Sequence, residues 1–177
     1  IPAGTSRVEK GLPNRVRTAG MTEAASEMDR DTLAQVATYQ FGSEGAALFD
    51  DPDLEITRSS SGRPRQIIAP DGRIATYSTA GRFTLGLAGG RRLHDKLPHP
   101  NYRVVVGDES EPFVRDGKNV FAKFVREVDQ DVRPGDEVAV VHHEGELLAV
   151  GRAELPGSDM LDFETGMAVA VRDGAED

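Results

Sequence analysis

The chain has no cysteine and no tryptophan, and only four histidines and four lysines among its 177 residues. Without thiols there is neither a disulfide framework nor a thiolate metal site. His94, His99, His142 and His143 are too few and too scattered to predict a metal site. His142 and His143 fall in an apparent strand, where successive side chains point to opposite faces, so a solvated pair beside a turn is expected. The sequence has no Walker-type loop and no recognisable pairing of nucleophile and base, so neither a cofactor nor catalysis is expected. No apolar run approaches the ~18–20 residues that cross a bilayer, and no membrane association is expected. Residues 1–20 contain no apolar segment suited to a signal peptide. They also lack an initiator Met, while Met21 opens a helical segment; they read as a tag, a fragment of a longer chain or an upstream extension. Residues 1–26 are expected to be disordered, and the protein to be cytoplasmic.

What is abundant is acid and arginine. Acidic residues outnumber basic ones 30 to 21, giving a net charge of −9, and arginine outnumbers lysine 17 to 4. A dense carboxylate surface of this kind suits a high-salt cytoplasm and says little against nucleic acid as a partner, because local charge governs contact. The local charge is uneven. Residues 1–102 carry 13 bases and 12 acids, whereas residues 103–177 carry 8 bases and 18 acids. Between Arg58 and Arg92 seven arginines (58, 63, 65, 73, 82, 91 and 92) face one acid, Asp71. That run reads either as a solvated arginine-rich face or as a surface that contacts phosphates.

The length fits one ordinary domain or two small ones. Asp31 to Phe49 reads as a helix, with Asp29 or Asp31 as N-cap and Leu33, Val36, Ala37 and Phe41 at helical spacing, interrupted by Gly42 and Gly45. Short strands follow at 54–57, 65–69, 73–77 and 82–85. They are joined by SSSGRP at 59–64, PDG at 70–72 and TAG at 79–81, and predict an antiparallel sheet. A helix at 88–97 closes a small α+β domain over 27–101, and LPHPN at 97–101 marks the boundary. Five or six short strands with glycine at the corners then predict a small closed β barrel over 102–175. Asp159, Asp162 and Glu164 lie on a short helix near its end and read as a solvated face.

One stretch stands out. In GKNVFAKFV, Gly117 to Val125, two of the four lysines fall within six residues and interleave with Phe121 and Phe124. Gly117 supplies a turn and leaves room for a ligand backbone. Lys118 and Lys123 offer ammonium groups to phosphates, and Asn119 offers both a donor and an acceptor. Val120 gives apolar support to a base. Phe124 is expected in the core, and Phe121 either in the core or as a stacking platform. The alternative for the whole stretch is an amphipathic helix with solvated lysines.

The order and spacing of Gly117-Lys-Asn-Val-Phe, Pro134-Gly-Asp-Glu-Val, Ala149-Val-Gly-Arg-Ala and Gly166-Met-Ala-Val resemble the PUA domain, a small pseudobarrel that binds RNA. TYQFGSEGAALFDD, the SSSGR turn and ATYSTAGRFTLGLAGGRRL are similar to the domain preceding PUA in archaeal tRNA-guanine transglycosylases, which exchange a tRNA guanine on the way to archaeosine. The resemblance covers 31–173, and nothing in the chain resembles the transglycosylase barrel. Ala122-Lys123-Phe124 stands where many PUA domains carry Pro-Gly-Ile, which suits the transglycosylase-type branch.

The resemblance implies a non-catalytic protein that binds tRNA or other structured RNA, at the acceptor stem and 3′ end. It implies a partner or detached part of a tRNA-modifying enzyme, with a separate catalytic subunit as a possible companion. The implied RNA face holds Gly117, Lys118, Asn119, Val120, Phe121, Lys123, Arg126 and Arg152. Arg58, Arg63, Arg65, Arg73 and Arg82 would extend the footprint. Two other classes stay open. One is a small enzyme with its site in the barrel, for which Arg63, Asp71 and Tyr77 are a weak constellation. The other is a protein-only interaction module whose acidic second half docks a basic partner.

Overall fold

The computed structural model describes residues 22–176. Of the extension expected to be disordered over 1–26, residues 1–21 lie outside the described residues, while Thr22–Ala24 forms β1. The first helix, α1 (Glu27–Phe41), starts earlier than its apolar spacing suggests. Its N-cap is Ser26. The Ser26 Oγ accepts from the Asp29 amide at 3.0 Å, and the Asp29 carboxylate accepts from the Ser26 amide at 2.9 Å. Asp29 is therefore the third residue of a capping box, in the place usually held by Glu, and neither it nor Asp31 is the cap. Leu33, Ala37 and Phe41 form the buried stripe of α1. The helix ends at Gly42, and Gly45–Phe49 is a separate 3₁₀ turn.

Five strands follow one another across the first sheet: β1, β2 (Glu55–Arg58), β3 (Pro64–Ala69), β4 (Gly72–Tyr77) and β5 (Phe83–Leu85), all antiparallel. Short loops fix the order from β2 to β5, while β1 reaches the edge of β2 across α1 and the 3₁₀ turn. Helix α2 (Leu87–Lys96) completes this half, with Ala88 and Leu93 buried. The second half contains β6 (Arg103–Val106), α3 (Glu111–Arg115), β7 (Val120–Phe121), β8 (Val125–Val128), β9 (Glu137–His142), β10 (Leu147–Ala153), α4 (Gly157–Met160) and β11 (Met167–Gly174). Its six strands run in the order β7-β11-β10-β9-β6-β8, with one parallel pair, β6 and β9. The result is the nearly closed, barrel-like sheet expected from the sequence, filled by valines 104, 106, 120, 138, 140 and 169 together with Leu148 and Met160.

The halves share a core. Ala139 and Val150 of the barrel belong to the same apolar cluster as Leu33, Phe41, Ile74, Phe83 and Leu93. Helix α2 crosses β10 so closely that a Cβ on Gly90 would collide with Val150 Cγ1. Arg103, 2% exposed, reaches from β6 to the end of α2. Its guanidinium donates to the carbonyls of Leu93, His94 and Leu97 at 3.3, 2.6 and 2.9 Å, where the helix presents its negative end. Burial lowers the Arg103 pKa from its usual value. The cation still has three carbonyls to answer it; that of Leu93 also accepts the Leu97 amide, whereas those of His94 and Leu97 would lose this donor in a truncated side chain.

Arg103→Ala should therefore destabilise the fold by on the order of 3 kcal/mol, read as a lowered urea midpoint. Acid should act through other groups. Hydrogen bonds from Arg92 hold the Asp51 and Asp71 pKa values below 3.8. Burial would raise the Asp29 pKa, but bonds from Arg58 and Ser26 outweigh it and lower that value too. Depressed folded-state pKa values give stability that is complete above 3.8 and fades as pH falls through the lower folded values. Unfolding curves recorded against pH should show this loss beginning below that point.

Candidate nucleic-acid interface

Residues 117–125 do not form the amphipathic helix weighed from sequence. Helix α3, with Pro112 in its first turn, turns Val114 inward (1% exposed) and Phe113 outward (61%). The chain reverses at Gly117, where φ is +90° and a Cβ would meet nothing within 4 Å. Its glycine is thus explained by the backbone turn itself. The Lys118 amide donates to the Phe113 carbonyl at 2.9 Å, and β7 then adds to the edge of β11. Strand alternation buries Val120 and exposes Phe121. Ala122–Phe124 is a single 3₁₀ turn.

These turns enclose a groove of about 390 Å³ lined by Glu109, Ser110, Phe113, Val114, Lys118, Asn119, Val120, Phe121 and Phe124. Three of the seven phenylalanines thus line one surface feature. Phe124, expected in the core, is half-buried and forms a wall of the groove. Val120, expected to support a base, belongs to the barrel core and only backs the groove. Asn119 accepts the Val171 amide on its Oδ1 at 2.9 Å, which leaves its amide NH₂ as the group available to a ligand. The Lys118 Nζ stands 3.7 Å from Asp116, and the Lys123 Nζ lies 5.2 Å from the centroid of the Phe124 ring. Sequence reasoning misses Phe113. Its signal is the PFVR turn, in which a proline opens a helix and the next two apolar residues must face different ways.

The predicted arginines are dispersed. Arg126 pairs with Glu109 at the groove margin, at 3.4 Å. Arg152 lies on β10, two strand spacings or about 10 Å from β7, and pairs with Glu154. The excess charge between Arg58 and Arg92 is largely neutralised, by Asp71 within the run and by acids from elsewhere in the chain. Arg58 pairs with Asp29 and Glu23, Arg73 with Asp173, Arg82 with Asp136, Arg91 with Asp71, and Arg92 with Asp51 and Asp71. Arg63 and Arg65 have no carboxylate partner among the described residues.

The histidine pair departs from expectation. β9 ends at His142, so His143 enters the turn and the two rings meet with centroids 4.3 Å apart instead of facing away. With Asp108 they bring candidate metal-ligand atoms within 4.8 Å of one another. His142 Nδ1 accepts the Glu144 amide at 3.1 Å, which leaves Nε2 as the donor to Asp108 at 2.6 Å. The bond from His142 lowers the Asp108 pKa. Ligating a metal through Nε2 would require His142 to move its proton to Nδ1 and lose the Glu144 bond.

Residues 102–175 match the PUA domain, and residues 31–100 match the patch-forming domain C2 of tRNA-guanine transglycosylase. The chain thus carries a PUA domain over residues 102–175. Its two domains together resemble the C-terminal region of archaeal tRNA-guanine(15) transglycosylases. The chain is 47% identical over 148 residues to that protein of Thermococcus onnurineus, a match covering 83% of this chain and 25% of the relative. It is 47% identical over 146 residues to the one from Pyrococcus furiosus, covering 82% and 25%. The chain thus spans about a quarter of the length of these curated relatives. Among solved structures, a hypothetical protein from Pyrococcus horikoshii superposes with a TM-score of 0.69 at 22% identity, covering 89% of this chain and 96% of that one. A PUA domain protein from Aeropyrum pernix gives 0.67 at 20% identity, covering 89% and 87%. At these identities the likeness is one of fold. No described helix is long and apolar enough to cross a membrane.

Exposed rings contribute little to folding. Phe113→Ala and Phe121→Ala should each leave the urea unfolding free energy within about 0.5 kcal/mol of the parent. Val120→Ala, one residue away, should cost about 2 kcal/mol.

Proposed function

We propose that this chain is a non-catalytic RNA-binding protein that engages tRNA at the acceptor stem and 3′ end in an archaeosine-type modification system. The observation that carries this is the aromatic groove between α3 and β7, with Lys118 at its rim. A base or ribose from a single-stranded end fits against Phe113 and Phe121, the exposed rings. The Lys118 and Lys123 ammonium groups reach flanking phosphates, and the Asn119 NH₂ donates to a ribose or base edge. The two-domain likeness to tRNA-guanine(15) transglycosylases supports tRNA as the RNA in question. We assign none of the chemistry of modification to these residues, which correspond to a quarter of those relatives.

The test is a titration with total tRNA at two salt concentrations. Parent protein should bind more weakly at the higher salt. Lys118→Ala/Lys123→Ala should reduce the magnitude of the slope of log K against log salt by up to about 2, because each lysine removed leaves one phosphate with its counterion. Phe121→Ala should weaken binding by about 1–3 kcal/mol with the slope nearly unchanged. Absence of salt-dependent binding by the parent would overturn the proposal.

A further inference from the structure

The first sheet carries the same five-residue turn twice. Ser59-Ser-Ser-Gly-Arg63 joins β2 to β3, and Ser78-Thr-Ala-Gly-Arg82 joins β4 to β5. In each, the serine amide donates to the arginine carbonyl, at 2.8 Å in both cases. In each, the glycine amide returns to the serine carbonyl, at 2.9 and 3.1 Å, and the glycine φ is positive, +89° and +81°. The arginine amides also approach the serine Oγ atoms, at 3.2 and 3.4 Å. Antiparallel order brings both turns to the same end of the sheet. Between them lies a basin of about 450 Å³ whose lining includes Ser61, Arg63, Arg65, Tyr77, Ser78 and Thr79, and no carboxylate.

The basin is built around Arg63. Its guanidinium lies over the Tyr77 ring, 4.7 Å from the centroid, and donates from Nη2 to the Ser78 carbonyl at 3.0 Å, tying one turn to the other. Arg65 stands exposed beside it with no hydrogen-bond or ion-pair partner among the described residues. In a chain of net charge −9, where most neighbouring arginines hold a carboxylate, this cleft offers two guanidinium groups, several hydroxyls and no competing acid. That donor set matches the non-bridging oxygens of a phosphodiester: planar N–H forks for the charge and hydroxyl donors for the remaining lone pairs.

We propose that the twin-turn basin is a second anchoring point for an RNA backbone, taking a phosphodiester between Arg63 and Arg65. This rests on the RNA-binding reading and narrows the arginine run to two residues. Arg58, Arg73, Arg82, Arg91 and Arg92 are engaged by carboxylates.

The experiment compares parent, Arg65→Gln, Arg63→Lys/Arg65→Gln and Phe121→Ala in the tRNA titration. Arg65 makes no contact that folding needs, so Arg65→Gln should unfold like the parent yet bind several-fold more weakly, with a salt slope smaller in magnitude by about 1. The double variant should be weaker still, because a lysine keeps the charge but loses the fork. Parent-like affinity and slope in both arginine variants, with Phe121→Ala still weakened, would overturn the basin and leave the groove standing. Absence of tRNA binding by the parent would overturn both.

Discussion

An edge strand without a neighbour decides how this protein holds together. β5 closes the first sheet with three residues, and its outward backbone groups have no further strand to bond. Side chains replace that strand. Gln40 of α1 accepts the Phe83 amide at 2.7 Å and donates to its carbonyl at 2.9 Å. Two residues on, Glu137 accepts the Leu85 amide at 2.8 Å, while Arg172 donates to the Leu85 carbonyl and binds both Glu137 oxygens. Glu137 and Arg172 belong to the barrel, and the carboxylate is 4% exposed. A buried charge pair adds little net energy by itself, but each partner here also satisfies backbone that would otherwise be orphaned. The edge is thereby closed to a foreign strand and fastened to the second domain in one arrangement.

With Arg103 gripping the end of α2 and a continuous core between the halves, the joint is a packed interface and not a hinge at LPHPN. The prolines mark where one sheet ends and the next begins, but composition carries no measure of how firmly the flanking domains meet. The groove between α3 and β7 and the basin between the twin turns consequently sit in one fixed relation. For a stiff, repeating polyanion such as an RNA stem, fixed spacing between two anchoring points restricts which shapes fit, without any base being read.

Local features are legible in the sequence, and long-range pairings are not. Alternating apolar residues between Gly- and Pro-marked turns mark out the strands of the first sheet, because turn chemistry and strand period are properties of a few neighbouring residues. The ordered motifs from Gly117 to Gly166 mark out the barrel. The cap of α1 is harder to see, because Ser26 and Asp29 satisfy the capping box with Asp in place of Glu. Counting charges between Arg58 and Arg92 suggests a basic face, but Asp29, Asp51, Asp136 and Asp173 come from 29 to 100 residues away to cancel much of it. Strand alternation puts His142 and His143 on opposite faces only if β9 runs one residue further than it does. At the groove, Gly117, Lys118 and Phe121 stand out in the sequence, and all three lie at the surface. The place of Phe113 and the part-exposure of Phe124 depend on packing between α3 and β7, which no local pattern encodes.

The acidic balance of the chain and the aromatic character of its groove fit together physically. Ionic contacts with phosphate weaken as salt rises, since the Debye length shrinks from about 10 Å at 0.1 M to about 3 Å at 1 M. Stacking on a ring depends on apolar contact and dispersion, which salt does not screen. A surface relying on lysines and arginines alone would lose a polyanion in concentrated salt, and in dilute salt it would hold many polyanions indiscriminately. On the proposed function, Phe113, Phe121 and Phe124 around one groove would supply a salt-tolerant share of affinity that favours unpaired ends, where bases are free to leave the stack. Acids placed to cancel most of the arginines remove the indiscriminate share. In the basin, where Arg63 and Arg65 have no carboxylate, a bound phosphodiester would be selected by backbone geometry instead of bulk charge.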